Sequence, residues 1–315
     1  MIGLELQRAL VAEAALAPSV HNVQPARWRF EGDEVLLVED ETRRLAIGDP
    51  EGRDAGVSLG AAAEGMRIAL SRHGLAMREV AERRFGVEPG AEVDSLATFV
   101  ERRQSYRGCF LKPREEDRAA ARALGSDGVA VVSEAEEIGR IAKLVDEAGL
   151  AFFRDPAFRG ELVSWMRLSR SHSGWSRDGL NAEAMAMSRV EAIGAKAVLG
   201  RAFGWLDRLG LGPALTGEAG KIATSAAVLI VHRPADESPF ETGRFFYRLW
   251  LKVVEAGFQA AVMASLADHE AISARLAGEL GVPEGRRIRT ALRIGRVPEG
   301  AGYKRARLPV DELIL

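Results

Sequence analysis

The residues with types and spacing suited to chemistry lie at the two ends of this chain and at one point between. Near the start, Ala17-Pro18-Ser19-Val20-His21-Asn22-Val23-Gln24-Pro25 sets amides and a small hydroxyl in a Pro-bounded turn. Ser19, Asn22 and Gln24 could there hydrogen-bond a flat heteroaromatic ring. Arg102-Arg103-Gln104-Ser105-Tyr106-Arg107 and the tail Tyr303-Lys304-Arg305-Ala306-Arg307-Leu308-Pro309 offer forked cations and a hydroxyl, the groups that grip a phosphate monoester. A ligand with a ring at one end and a phosphate at the other satisfies both sets. Each set also has a plainer reading. Pro-Ser and Asn cap turns with no ligand at all, and arginines beside Glu101, or in a tail, are ordinarily solvated charge. Two separate arginine clusters favour the ligand.

No other constellation competes. His21, His73, His172, His232 and His269 show no metal-ligand spacing, and the lone Cys109 excludes a cysteine-based zinc or iron–sulfur site. No metal is expected. The 315 residues carry a net charge of -2 at a pI near 6.3, so no global field draws the chain to nucleic acid or acidic lipid. No apolar run approaches the roughly 20 residues needed to span a bilayer. Met1 to Leu16 reads as an amphipathic helix, not a secretory signal. These features predict a cytoplasmic protein.

The elements that must position these residues alternate between helix and strand. Apolar residues on a helical period from Leu4 to Leu16 predict a helix ended by Pro18. Trp28-Arg29-Phe30 and Glu34 to Val38 flank Gly32-Asp33 as a hairpin, and Asp49 to Arg53 is a turn. A helix follows from Gly56 to His73, then one strand from Ala76 to Phe85. In the second half, helices are expected over Arg114–Leu124, Glu134–Phe153, Phe245–Ala256 and Glu270–Leu280. Strands are expected at Val129–Val132, Ala226–Val231 and Arg289–Ile294, with a strand or turn after Gly257. Leu162 to Gly212 keeps no clean period. There is also a weak internal echo: Gly60 to Gly74 and Gly243 to Gly257 bracket helices of equal length, each preceded by a strand. It is read either as two unrelated helices or as the mark of a fused pseudo-dimer.

The opening turn resembles the Ala-Pro-Ser-x-x-Asn-x-Gln-Pro signature of the nitroreductase family of FMN-dependent enzymes, and the Ser-Val-His-Asn spelling is closest to its Acg-like branch of long single chains. Arg103-Gln104-Ser105-Tyr106-Arg107 resembles the family's Arg-x-Ser-x-Arg phosphate motif. Ile294-Gly295-Arg296-Val297-Pro298, with Arg305-Ala306-Arg307-Leu308-Pro309, resembles its closing strand and Lys/Arg-x-Arg tail. The resemblance covers both ends and the junction, about half of the chain, and rests on the joint order of motifs that are individually common. Two departures stand out. Ala26 occupies the place where members carry Trp directly after Gln-Pro, with Trp28 two positions later, and Trp165 to Met187 matches no short member.

The resemblance implies an α+β fold, a central mainly antiparallel sheet flanked by helices, in two related halves fused in one chain. Residues 1–98 would form a degenerate first half and 99–315 the second, packed as one unit, with a possible lid over 162–212. In ordinary members the phosphate motif precedes the Asn/Gln motif within one subunit, and the flavin lies at a dimer interface. Here the order is reversed, which implies one complete site built from both halves and a second, pseudo-symmetric site lost. The implied cofactor is FMN, held by Ser19, Asn22, Gln24, Arg103, Ser105, Arg107, Arg305 and Arg307, with NAD(P)H as reductant. The partners would be small-molecule acceptors such as nitroaromatics or quinones. No catalytic side chain is implied, because the cofactor carries the hard step. By analogy, Arg170 to Trp175 would cap the substrate face. The alternative is a protein that sequesters FMN under a closed lid without turnover. A fused pseudo-dimer could be monomeric or dimerise further.

Overall fold

The structure is a computed structural model and describes residues 2–315. It builds two four-stranded antiparallel sheets, one from each part of the chain. Helix α1 (Leu4–Ala14) leads into the turn at residues 19–25, then β1 (Ala26–Glu31) and β2 (Glu34–Glu39) form the hairpin expected around Gly32. Helix α2 (Arg53–Ser71) precedes β3 (Leu75–Ala81) and β4 (Arg84–Pro89), and the first sheet has the order β1-β2-β4-β3. Ala76 to Phe85 is therefore a hairpin, not one strand. Its turn falls at Glu82-Arg83, where Arg83 has φ 56°. A left-handed arginine is uncommon, and with neither Gly nor Pro in the turn the usual punctuation is missing.

Past residue 100 come α3 (Glu115–Arg122), β5 (Val129–Val132), α4 (Ala135–Arg154) and α5 (Pro156–Trp165). The short parallel pair β6 (Met166–Arg167) and β7 (Leu180–Asn181) follows, then α6 (Arg189–Ala197), α7 (Phe203–Arg208), α8 (Gly212–Thr216) and α9 (Ala219–Ile222). Helix formation thus breaks the aperiodic stretch 162–212 into short pieces. The chain continues with β8 (Ala227–Pro234), α10 (Pro239–Glu255), β9 (Gln259–Val262), α11 (Ser265–Asp268), α12 (Glu270–Glu279) and β10 (Arg286–Gly295). The second sheet has the order β5-β8-β10-β9. Residues Ala227 to His232 of β8 are all buried, because helices cover both faces: α4 and α12 on one, α10 on the other. A strand buried on both faces reads as a continuous apolar run, as Ala226 to Val231 does.

Helices α2 and α10 cross at the centre of the molecule, and glycines make the crossing possible. A Cβ on Gly60 would lie 1.9 Å from the Phe240 carbonyl oxygen, and one on Gly243 would lie 2.1 Å from that of Val57. The two helices then end alike, at Gly74 (φ 68°) and Gly257 (φ 82°). Beside the crossing, the carboxylate of Glu64 on α2, only 2% exposed, accepts from Arg67 on its own helix and from Arg248 on α10. Both arginines also reach Asp94. Arg244 on α10 also approaches Glu64, at 3.5 Å, so both buried carboxylates are compensated.

The end of the chain returns to the first sheet. Trp28 on β1 donates its backbone N–H to the Leu313 carbonyl (2.7 Å) and accepts from Leu315 N–H (2.8 Å). That return carries residues 303–308 across the opening turn.

Candidate functional site

Three segments far apart in sequence meet in one polar cleft. It is lined by Ser19 and Asn22 from the opening turn, Arg103, Ser105 and Arg107 from the junction, and Arg305 and Arg307 from the tail, with Gly179, Asn181 and Ala184 along one side. The floor is built by sheet two. Ser105 pairs as a parallel bridge with Ala260 on the free edge of β9, and Tyr106 N–H donates to the Ala260 carbonyl at 2.8 Å. Gln259 Nε2 donates to the Arg102 carbonyl (3.0 Å), while Gln104 N–H donates to Gln259 Oε1 (3.2 Å). Buried Arg293 on β10 donates to the Gly108 carbonyl at 3.1 Å. These bonds fix the backbone of residues 102–108 against a rigid strand, so the arginines there are presented by the sheet.

The opening turn is strained. His21, Asn22 and Gln24 have φ of 42°, 56° and 55°, and non-glycine residues in that region cost on the order of 1 kcal/mol or more each. The compensation is visible. Ser19 Oγ accepts from Gln24 N–H (3.0 Å), and Val20 N–H donates to Ser58 Oγ on α2 (3.1 Å). Asn22 Nδ2 donates to the carbonyls of Ala306 and Gly179, both at 3.2 Å, and its Oδ1 accepts from Arg307 Nη1 at 2.9 Å. Gln24 Nε2 donates to the Arg177 carbonyl (2.8 Å), and its Oε1 accepts from Leu308 N–H (2.9 Å). Gln24 does not line the cleft; it lies over a smaller cavity beside Trp28. The sequence expectation assigned the Asn22 and Gln24 amides to a ring, whereas here both are engaged by protein. They tie the turn to the tail and to the 176–180 segment, because a turn with three left-handed residues needs outside fixings.

The electrostatics of the cleft are one-sided. Arg103, 3% exposed, donates from Nη2 to the Leu16 carbonyl, and its Nε has no partner. Arg305 donates to the carbonyls of Glu101 and Arg103, and its Nε is also unpartnered. Arg307 donates to the carbonyls of Ala15, Leu16 and Ala306 besides Asn22. Arg107 donates to the Ala184 carbonyl. Among the described residues none of the four is paired with a carboxylate, although most other arginines here are. Loss of water depresses the pKa of Arg103, Arg305 and Arg307, and for Arg307 the charges of Arg103 and Arg305 add to it. An arginine keeps its proton regardless, so this burial is an unmet demand for an anion. A phosphate suits it: Arg forks bind such oxygens bidentately, and charge-assisted bonds contribute about 1.5–3 kcal/mol each.

Pro18, Ser19, Ser105, Arg107 and Leu180 are shared between the cleft and a second cavity of about 340 Å³. Its walls are mostly apolar: Val57, Phe152, Phe158, Phe246, Trp250 and Val262. His21 also faces it. Burial, and then the charge of Arg107, pushes that imidazole down to about 4, so it is neutral at physiological pH. Sequence reasoning reached only the edge of this cavity, at Pro18, Ser19, His21, Ser105 and Arg107. Most of its other residues come from α2, α4, α5, α10, α11, β9 and β10, and no local signal links them. The 166–181 stretch covers the turn. Gly179 N–H donates to the Asn22 carbonyl (3.2 Å), Arg307 N–H to the Ser176 carbonyl (3.1 Å), and Asp178 is paired with Arg43 and Arg167. Arg170 to Trp175 do not line the cleft or the large cavity; Leu180 lines both.

No family model matches the chain. The chain is 28% identical over 180 residues to a "Putative NAD(P)H nitroreductase" of Mycobacterium tuberculosis, covering 51% of each protein. It is 36% identical over 74 residues to "Putative NAD(P)H nitroreductase acg" of the same organism, covering 24% of this chain and 22% of that one. The likeness is to the nitroreductase family, Acg included. The chain spans about half the length of the curated relatives it matches over the longer stretch. Among solved structures, the FMN and NADPH-dependent nitroreductase NfnB from sphigopyxis sp. strain HMH is 18% identical, over 70% of this chain and 98% of that one, at a TM-score of 0.37. The FMN-dependent nitroreductase NfnB from Mycobacterium smegmatis, in complex with NADPH, is 19% identical, over 70% and 93%, at a TM-score of 0.36. No helix among the described residues is long and apolar enough to cross a membrane.

Proposed function

We propose that this nitroreductase-like chain binds FMN and uses NAD(P)H to reduce small acceptors such as nitroaromatics or quinones. The observation that carries the reading is the cluster of four guanidiniums with no carboxylate, opening through Ser19 and Ser105 onto a large apolar cavity. The two unpartnered Nε atoms at Arg103 and Arg305 fit a phosphate monoester. Arg103, Arg305 and Arg307 would hold the phosphate, Ser105 and Arg107 the passage toward the ring, and the cavity the ring and acceptor. FMN, when bound, supplies hydride transfer. The chain's own part is to neutralise the phosphate, exclude water and fix the ring.

The same reading makes residues 1–98 and 99–315 the two halves of a pseudo-dimer with one complete site. The match of Gly60 and Gly74 with Gly243 and Gly257 supports this. The opening turn, the junction and the tail that line the cleft all belong to one chain, so a monomer can hold a complete site, and the exposed unpaired Cys109 fits a reducing cytoplasm. The test is a spectrum of the purified protein followed by anaerobic NADPH or NADH. A flavin absorption band that bleaches is expected. Colourless protein that takes up no added FMN would overturn the reading.

A second reading has one observation in its favour. Residues 176–184 are bonded across the cleft to Asn22, Arg307 and Arg107, and a cover held this firmly would sequester FMN without turnover. Bound flavin left unreduced by either nucleotide would select it.

A further inference from the structure

The large cavity has a polar corner that the proposed cofactor site does not use. Asp54 on the first turn of α2 and Asp268 at the end of α11 both line it. Both carboxylates lean on one cation: Arg53 is hydrogen-bonded to Asp268, and its Nε lies 3.8 Å from Asp54 Oδ1. Among the described residues no side chain or backbone N–H is hydrogen-bonded to the Asp54 carboxyl. Asp49 stands behind the pair, with its Oδ2 occupied by Ala55 N–H at 2.8 Å. With Asp49 counted, three carboxylates crowd one guanidinium in a largely apolar wall, so negative charge is left unmatched, and a proton on one of them is the simplest way to reduce it.

The wall shows independently that this corner is built for a ligand. Arg289 on β10, 7% exposed, lines the same cavity with Nε and Nη1 unpartnered, its Nη2 donating to the carbonyls of Pro234, Ala235 and Glu237. Trp250, 1% exposed, also lines the cavity with its Nε1 unpartnered, but on the side of Arg103, whose guanidinium lies 4.6 Å from its ring, so Arg289 is the group that marks this corner. The other polar or titratable groups facing the cavity are Ser19, His21, Ser58, Ser105, Arg107, Thr242, Ser265 and Thr290. Of these His21 is already neutral, so it is not the acid.

We propose that Asp54 is the proton donor of the acceptor step, with Asp268 as the positioning residue that keeps it protonated. This rests on the FMN reading above. In the step, a quinone takes one hydride equivalent from the cofactor and one proton from the Asp54 carboxyl, giving a quinol. The cofactor is oxidised by two electrons, and the Asp54 carboxylate recovers a proton from solvent. Burial, and then the charge of Asp268, raises the Asp54 carboxyl to about 7, and burial raises that of Asp268 to about 6. A carboxyl that titrates near working pH is suited to general acid catalysis.

The first test needs no turnover. Carbon-13 carboxyl titration of the full chain is expected to show a group titrating near neutrality that vanishes in Asp54→Asn. In Asp268→Asn that group should shift down, because the like charge is gone and Arg53 is free to pair with Asp54. The second test is stopped-flow reoxidation of the reduced protein. Asp54→Asn should slow reoxidation by a benzoquinone about 10²-fold, the low end for a lost general acid, while ferricyanide, which takes electrons without a proton, reoxidises it normally. Wild-type reoxidation by quinone should fall as pH rises through about 7, and Asp54→Glu should restore part of the rate. A normal carboxylate range for every cavity acid, or equal slowing with both oxidants, overturns the proposal. Failure to bind FMN overturns the cofactor reading instead, and the carboxyl titration still reports on Asp54.

Discussion

Arg103→Met is expected to weaken FMN binding by about 10- to 100-fold, while leaving the FMN-free protein at least as stable as wild type. The two effects have opposite causes. Arg103 is buried with a single hydrogen bond, to the Leu16 carbonyl, and stacks 4.6 Å from the Trp250 ring. Its charge has no carboxylate partner, and Arg305 and Arg307 repel it. A long apolar side chain keeps the packing against Trp250 and Tyr247 and removes the uncompensated charge, which is often neutral or stabilising. The ligand experiences the reverse. A dianionic phosphate loses one or two charge-assisted bonds worth about 1.5–3 kcal/mol each, and each 1.4 kcal/mol is a tenfold change in Kd. FMN fluorescence titration measures the first effect and urea unfolding of the FMN-free protein the second. Arg307 is a poorer choice, because its bonds to Ala15, Leu16 and Asn22 hold the tail and its loss would mix structural damage with lost affinity. An unchanged FMN affinity in Arg103→Met would remove the phosphate assignment.

The parts of this site that were legible from the residues are those whose signal is local. The Pro-bounded turn, the Arg-x-Ser-x-Arg stretch and the basic tail each stand out as short strings, and seven of their eight singled-out residues line one cleft. Gln24 is the exception. Its amide has the chemistry for a ring edge, but the neighbouring backbone, left-handed at three positions, uses it first. Elements with strong periods were equally readable, such as the buried run of β8 and the amphipathic α4. The β3–β4 hairpin was not, because Arg83 takes a conformation usually given to Gly or Asn. Asp54, Asp268 and Arg289 carried no signal at all. Each is an ordinary charged residue within a helix or strand, and only the packing of α2, α11 and β10 brings them to one cavity. Spacing along a chain reports helix faces and strand alternation; it does not report which charge will lack a partner after folding.

That crossing sets up the second large effect. Gly60→Ala is expected to destabilise the protein by roughly 3 kcal/mol or more, beyond the usual range for an added methyl in a tight core. Local propensity argues the other way, since Ala in place of Gly inside a helix gains about 1 kcal/mol. Geometry decides. The new Cβ would lie 1.9 Å from the Phe240 carbonyl oxygen and 2.8 Å from its carbon, and these are backbone atoms that no rotamer change can move. The helices must separate, and the symmetric contact of Gly243 with Val57 must open with them. Gly149→Ala in α4 is the control. Nothing lies within 4 Å of its added Cβ, so it should stabilise by about 0.5–1 kcal/mol. Urea midpoints of the two variants should therefore move in opposite directions. Separation would also draw Asp54, Val57 and Ser58 on α2 away from Thr242, Phe246 and Trp250 on α10, the two walls of the large cavity. Any Gly60→Ala protein that folds should thus lose reduction of bulky acceptors more than FMN affinity, because the phosphate arginines sit on segments outside the crossing. A Gly60→Ala protein as stable as wild type would mean that the two backbones do not touch, and that the cavity between them is wider than described.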